Sequence, residues 1–162
     1  INAYGRSKLL GEQEALNANP RALVVRTSWL FSATHRNFVS TILRLATTRV
    51  VDVVEDQMGC PTYAPDLAAA TLQAMERGAS GLLHLTNTGV TSWFDLARVA
   101  CEISGVDPDR VRPIRAEQYP TRARRPRNSA LGSERRLGLG LADLRPWREA
   151  LRDALHPTDQ SR

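Results

Sequence analysis

The sequence predicts an α/β chain, and three observations predict it. Short, nearly continuous apolar runs rich in β-branched residues recur along the chain, as strands of a parallel sheet buried on both faces require. Segments with apolar residues at helical spacing separate them, and most of these end in glycine or Asn-Pro. Strand and helix signals therefore alternate, with no internal repeat and no low-complexity tract, and that alternation marks the α/β class.

Residues 4–18 predict a helix with Leu9, Leu10, Leu16 and several alanines on its apolar side, ended by Asn19-Pro20. Residues 22–28 predict a strand buried on both faces, and 29–36 a loop. Phe38, Ile42 and Leu45 set the period of a helix over 37–47, and Val50–Val54 follows as a second strand. The stretch EDQMGCPTYAPD, residues 55–66, is rich in turn residues. Pro65-Asp66 opens a helix to about Arg77, which Gly78 ends. Residues 81–86 predict a third strand. Ser92 and Asp95 make a capping-box-like start for a helix from 93 to about 104, which Gly105 stops. Val111–Arg115 is a short strand, 117–133 is irregular and arginine-rich, Gly138-Leu139-Gly140 is a loop, and the last helix spans Ala142–Leu155. The tail from Pro157 is expected to fray.

A chain of 162 residues with 42% apolar content can bury one core. A formal charge of +5 favours an anionic partner such as a nucleotide, a sugar phosphate or nucleic acid, without choosing among them. Cys60 and Cys101 fit neither a metal spacing nor a disulfide framework, which makes a reduced, cytoplasmic setting the default. No apolar run approaches the ~18 residues of a membrane span, and no signal peptide is visible. There is no G-x-G-x-x-G and no P-loop.

Lys8 is the one lysine among 22 basic residues. It lies four residues after Tyr4, so a helix places both on one face. An ammonium beside a phenol favours the phenolate, which suits Tyr4 to give up its proton to a carbonyl being reduced. Lysine's flexible stem and rotatable donors can also hold a ribose diol, a geometry that arginine's planar fork does not reproduce. Without such a role, Tyr4 and Lys8 are a solvated helix face with a weak Lys8–Glu12 pair.

Tyr4-Gly5-Arg6-Ser7-Lys8-Leu9-Leu10-Gly11-Glu12 resembles the Y-G-x-[ST]-K-x-x-G-E segment of extended short-chain dehydrogenase/reductases, and within them the dTDP-4-dehydrorhamnose reductases. The likeness continues, in the family's order, through Arg26–Phe31, Asn37–Val39, Asp56–Thr62, Gly81–Thr86, Tyr119–Thr121 and Ala123–Ser129, and covers residues 2 to about 155. It implies the C-terminal part of an NAD(P)-binding, Rossmann-like doubly wound sheet, interleaved with a small substrate-binding subdomain over 1–155, followed by a tail at 156–162. It also implies reduction of the 4-keto group of dTDP-4-dehydro-L-rhamnose to dTDP-L-rhamnose, for cell-envelope polysaccharide, with NADPH or NADH.

By this resemblance Tyr4 protonates the keto oxygen, while Lys8 binds the nicotinamide ribose and eases loss of the tyrosine's proton. Thr27 and Ser28 lie near the nicotinamide and Trp29 against the sugar; on residue type alone, Trp29 reads as core. Asn37 is either a helix N-cap or a residue facing the substrate. Gln57, Pro61 and Thr62 belong to a loop that lines the sugar-nucleotide site. In the run RARRPR, Arg125 is the candidate for the diphosphate, with Arg124 second. His84 reads as a satisfied sheet histidine, and Trp93, Phe94 and Trp147 as helix packing. Gly132 stands where relatives carry aspartate. Some relatives dimerise through magnesium, which keeps Mg and a homodimer among the expectations, although no carboxylate cluster here assigns a metal site.

The family has roughly 120 or more residues before this helix, holding the glycine-rich cofactor turn and a further catalytic Ser or Thr. The chain is therefore expected to be incomplete, inactive alone, and left with an open sheet edge for a missing segment, a partner or a second copy to cover. Two other classes compete. One is a non-catalytic sugar-nucleotide-binding or regulatory module of the same fold, as in the regulatory subunit of methionine adenosyltransferase. The other is a basic nucleic-acid binder, for which the charge is modest and no recognition motif is present.

Overall fold

Helix α1 (Ala3–Ala18) begins the described structure, a computed structural model that describes residues 2–119, 121, 123, 125–132 and 134–156. Asn2 caps α1 by accepting from the Gly5 N–H at 2.8 Å. Strands β1 (Leu23–Arg26) and β2 (Leu30–Phe31) follow, then α2 (Phe38–Ala46) and β3 (Val51–Val54). Two short strands, β4 (Met58–Gly59) and β5 (Thr62–Tyr63), lead into α3 (Ala64–Glu76). Next come β6 (Gly81–His84), β7 (Asn87–Thr88), β8 (Thr91–Ser92) and α4 (Trp93–Ile103). The chain ends in β9 (Val111–Ile114), α5 (Glu134–Gly138), β10 (Leu144–Pro146) and α6 (Trp147–Leu155).

Four of the five strand pairings among the described residues are parallel. β1 pairs with β6, β2 with β5, β3 with β9 and β10 with β7, whereas β4 and β8 run antiparallel. Parallel partners must be far apart in sequence, with crossovers between them, and the helices supply those crossovers. One apolar cluster gathers Phe31, Val39, Leu96, Trp147 and Leu151 between α2, α4 and α6. A second joins Ile42, Val53, Ala97 and Val111. A third packs Ala74, Leu83, Leu85, Leu141 and Leu144 around α3 and β6.

Several expectations need correction. All four residues of β1 are half-buried, because among the described residues β1 has a strand on one side only. The 29–36 loop contains β2, whose two residues pair with β5 over a separation that no local pattern reveals. The last helix starts at Trp147; Leu144–Pro146 ahead of it pair with β7, and the fixed φ of Pro146 closes the strand as the helix begins. The short helix α5 occupies part of the stretch leading to Gly138-Leu139-Gly140. The cap readings agree with the structure. Ser92 Oγ accepts from the Asp95 N–H at 2.9 Å, and Gly105 follows α4 in the left-handed region, φ +68°, where a Cβ would be strained. Arg124 and the tail 157–162 lie outside the described residues.

Candidate active site

The site begins on α1. Its polar caps and its lack of β-branched residues make it helical, and the four-residue spacing stacks Lys8 over Tyr4. The Lys8 Nζ lies 5.6 Å from the centre of the Tyr4 ring, within cation–π range. Tyr4 is 71% exposed, so its hydroxyl is open to a reactant. Lys8 makes no ion pair among the described residues, because Glu12 is engaged elsewhere. Arg26 donates to Glu12 through Nε at 2.8 Å and Nη2 at 2.6 Å, a bidentate fork that joins α1 to β1. These hydrogen bonds from Arg26 hold the Glu12 carboxyl below the ordinary carboxylate range, against the opposing effect of burial.

The C-terminal end of β1 carries the next three candidates. Thr27 Oγ1 is buried and has no hydrogen-bond partner. Ser28 Oγ donates to the Cys60 carbonyl at 2.7 Å. Trp29 has φ +48°, a region a bulky residue occupies only when its surroundings hold it there. Its indole stacks on Trp93, ring centres 3.6 Å apart and planes within 10°, and its N–H donates to Ser129 Oγ at 3.1 Å. Gly59 makes room for that indole, since a Cβ there would sit 2.3 Å from the Trp29 ring.

Beside this stack lies a cleft of about 580 Å³. Gln57 and Arg125 both line it, together with Phe38, Trp93, Tyr119 and Thr121. Gln57 precedes β4, and Arg125 comes from the segment before Arg127, whose carbonyl accepts from the Met58 N–H at 2.8 Å. That backbone bond brings two candidates 68 positions apart in the chain to one wall, and it is why neither could be paired with the other by pattern. Trp93 packs against the apolar clusters around α2, α4 and α6, as helix packing requires, and it also lines the cleft and stacks on Trp29, because α4 starts where β8 ends beside β4. Its position as the first helical residue after the Ser92 cap was the only available signal.

Three further residues sit differently. Asn37 caps α2, accepting from the Ser40 N–H at 3.2 Å, while its amide donates to the Ser32 and His35 carbonyls at 2.8 and 2.7 Å. Thr62 is wholly buried, and its hydroxyl donates to the Cys60 carbonyl. His84 pairs through Nδ1 with the Gly132 carbonyl at 3.0 Å, but its buried Nε2 has no partner, so it is satisfied at one nitrogen only. Among the described residues, no group of three or more His, Cys, Asp or Glu could hold a metal ion. No described helix is long and apolar enough to cross a membrane.

A family model described as the RmlD substrate binding domain matches residues 1–160. The chain belongs to that family. A dTDP-4-dehydrorhamnose reductase of Mycolicibacterium smegmatis is 48% identical over 158 residues, which are 96% of this chain and 48% of the relative. A crystal structure of a dTDP-4-dehydrorhamnose reductase from Clostridium acetobutylicum superposes with a TM-score of 0.91 at 34% identity, over 96% of this chain and 55% of that one. The Bacillus anthracis enzyme of that name, solved in complex with NADP, gives 0.89 at 32%, over 96% and 55%. This member of the RmlD substrate binding domain family thus spans about half the length of the relatives it matches, and it shares the Rossmann-like α/β fold of the solved reductases.

Proposed function

We propose that the intact protein carrying this chain reduces the 4-keto group of dTDP-4-dehydro-L-rhamnose to dTDP-L-rhamnose with NADPH or NADH. The observation that carries this reading is the exposed Tyr4–Lys8 pair on a helix locked to β1, the strand whose end carries the orphaned Thr27 hydroxyl; the same chain also holds a cleft lined by Gln57 and Arg125. Relatives 48% identical bear the name of that reductase.

The residues present fit a nicotinamide cofactor. Lys8 has an ammonium with no ion-pair partner among the described residues, suited to a ribose diol, and Thr27 has an orphaned hydroxyl at the strand end where dinucleotides bind in such sheets. When bound, the nicotinamide supplies the hydride. Tyr4 gives its proton to the keto oxygen, with the Lys8 ammonium over its ring. Arg125 matches the diphosphate with a planar donor fork, and Gln57 offers both a donor and an acceptor to sugar hydroxyls or base. Trp29, Asn37 and Thr62 shape the site: the indole backs Trp93, and the other two hold the loops that frame it.

The test is substrate-dependent NAD(P)H oxidation by the intact protein with the 4-keto sugar nucleotide. Turnover that Tyr4→Phe lowers by about 10²–10⁴ is the expected result. Turnover unchanged by Tyr4→Phe, or none in the unmodified protein, overturns the proposal.

A further inference from the structure

We infer that Ser129 is the positioning residue of Trp29, and that through it the Arg125 segment and the indole stack move as one unit when an anion binds. This rests on the cleft being the sugar-nucleotide site. The polarity of the hydrogen bonds carries it. An indole N–H can only donate, so Ser129 Oγ must accept from it. The hydroxyl's single proton is then free for one acceptor, and Oγ lies 3.0 Å from the Met58 carbonyl. The Ser129 N–H donates to the same carbonyl at 2.8 Å, and the Met58 N–H donates to Arg127 at 2.8 Å.

Asn128 forms a parallel bridge to Met58, so the segment containing Arg127, Asn128 and Ser129 is clamped to β4 on both sides of that one residue. β4 in turn pairs with β8, whose last residue caps α4 immediately before Trp93. Both indoles thus hang from one ladder, Trp29 by Ser129 and Trp93 by β8. Arg125 extends into the cleft four residues before Ser129. A diphosphate drawn to the Arg125 guanidinium pulls on a segment that reaches the Trp29 N–H through a single hydroxyl. The left-handed backbone of Trp29 needs such a tether, because the ring must stay flat on Trp93 and seated against Gly59.

The test uses the intact protein, dTDP as the probe, and two readouts. The exciton couplet of the stacked indoles in circular dichroism reports Trp29 orientation, and Trp29→Phe assigns the couplet. Tryptophan fluorescence follows dTDP binding. Ser129→Thr and Ser129→Val have the same size and differ only in the hydroxyl. The expected result is a couplet that changes with dTDP in the unmodified protein and in Ser129→Thr. In Ser129→Val the couplet and its response are lost, and dTDP binds about tenfold more weakly. A Ser129→Val protein that keeps both couplet and response overturns the inference. A couplet indifferent to dTDP in the unmodified protein overturns the coupling. If Arg125→Ala also leaves dTDP affinity unchanged, the reading of the cleft fails separately.

Discussion

Arg26 grips Glu12 through two parallel hydrogen bonds, and this fork sets the register of α1 against β1. Lys8 and Tyr4 lie one and two turns before Glu12 on the same helix, so the fork also fixes where they stand. Glu12→Ala is expected to lower kcat more than it raises KM, with Glu12→Asp partly restoring it. Steady-state kinetics on the intact protein check this.

The same fork makes stability depend on acid. The folded Glu12 carboxyl titrates below its unfolded value of about 4.3. Its contribution is therefore fully present above that value and is lost as the pH falls through the lower folded value. Because Arg26 is 38% exposed, the contribution is only about 1 kcal/mol. Denaturant unfolding should show Glu12→Gln less stable than the unmodified protein at neutral pH, with the difference shrinking as the pH falls through the folded carboxyl's lowered range.

Replacing Tyr4 by Phe removes the hydroxyl proposed as proton donor and leaves the ring beneath Lys8. Turnover should fall by about 10²–10⁴, the usual worth of a positioned acid. Lys8→Arg keeps the charge but not the compact ammonium, and should raise the KM for NAD(P)H. The isolated 162-residue chain has no G-x-G-x-x-G and should show no turnover. Substrate-dependent NAD(P)H oxidation measures all three.

Gly59→Ala places a methyl group 2.3 Å from the Trp29 ring, so the indole or the backbone must shift. A loss of about 1–3 kcal/mol is expected from overpacking. Chemical denaturation gives the stability, and a weakened couplet shows that the indole was displaced.

Asn87 is wholly buried and joins four elements. It accepts from the Tyr63 N–H at 2.8 Å and donates to Asp66 Oδ2 at 2.7 Å and to the Arg145 carbonyl at 3.0 Å. Arg145 in turn forks onto Asp66 at 2.9 and 3.0 Å and pairs with Asp153. Asn87→Ala leaves several polar groups unpaired, each worth about 1–3 kcal/mol. The variant should unfold at much lower denaturant without changing the Tyr4–Lys8 geometry.

Much of the local structure was legible in the chain. The caps at Asn37 and Ser92, the left-handed Gly105 and the apolar period of α2 are short-range features, set by neighbours within a turn or two. The Tyr4–Lys8 pair was legible for the same reason, since one helical turn brings the two residues together whatever surrounds them. The 144–146 strand and β2 were missed because two or three residues carry no period and are defined only by distant partners.

The sequence by itself determined the α/β class, the extent of most of the helices and the placing of Tyr4 and Lys8 on one helix face, all of which follow from spacing along the backbone. Only the tertiary structure decided that Glu12 belongs to Arg26 rather than to Lys8, that Trp93 faces the cleft, and that Gln57 and Arg125 share it. Those outcomes depend on parallel pairings and on the register of a loop against β4. Contacts between residues dozens of positions apart are chosen by the packing of the whole core, which no window of sequence contains.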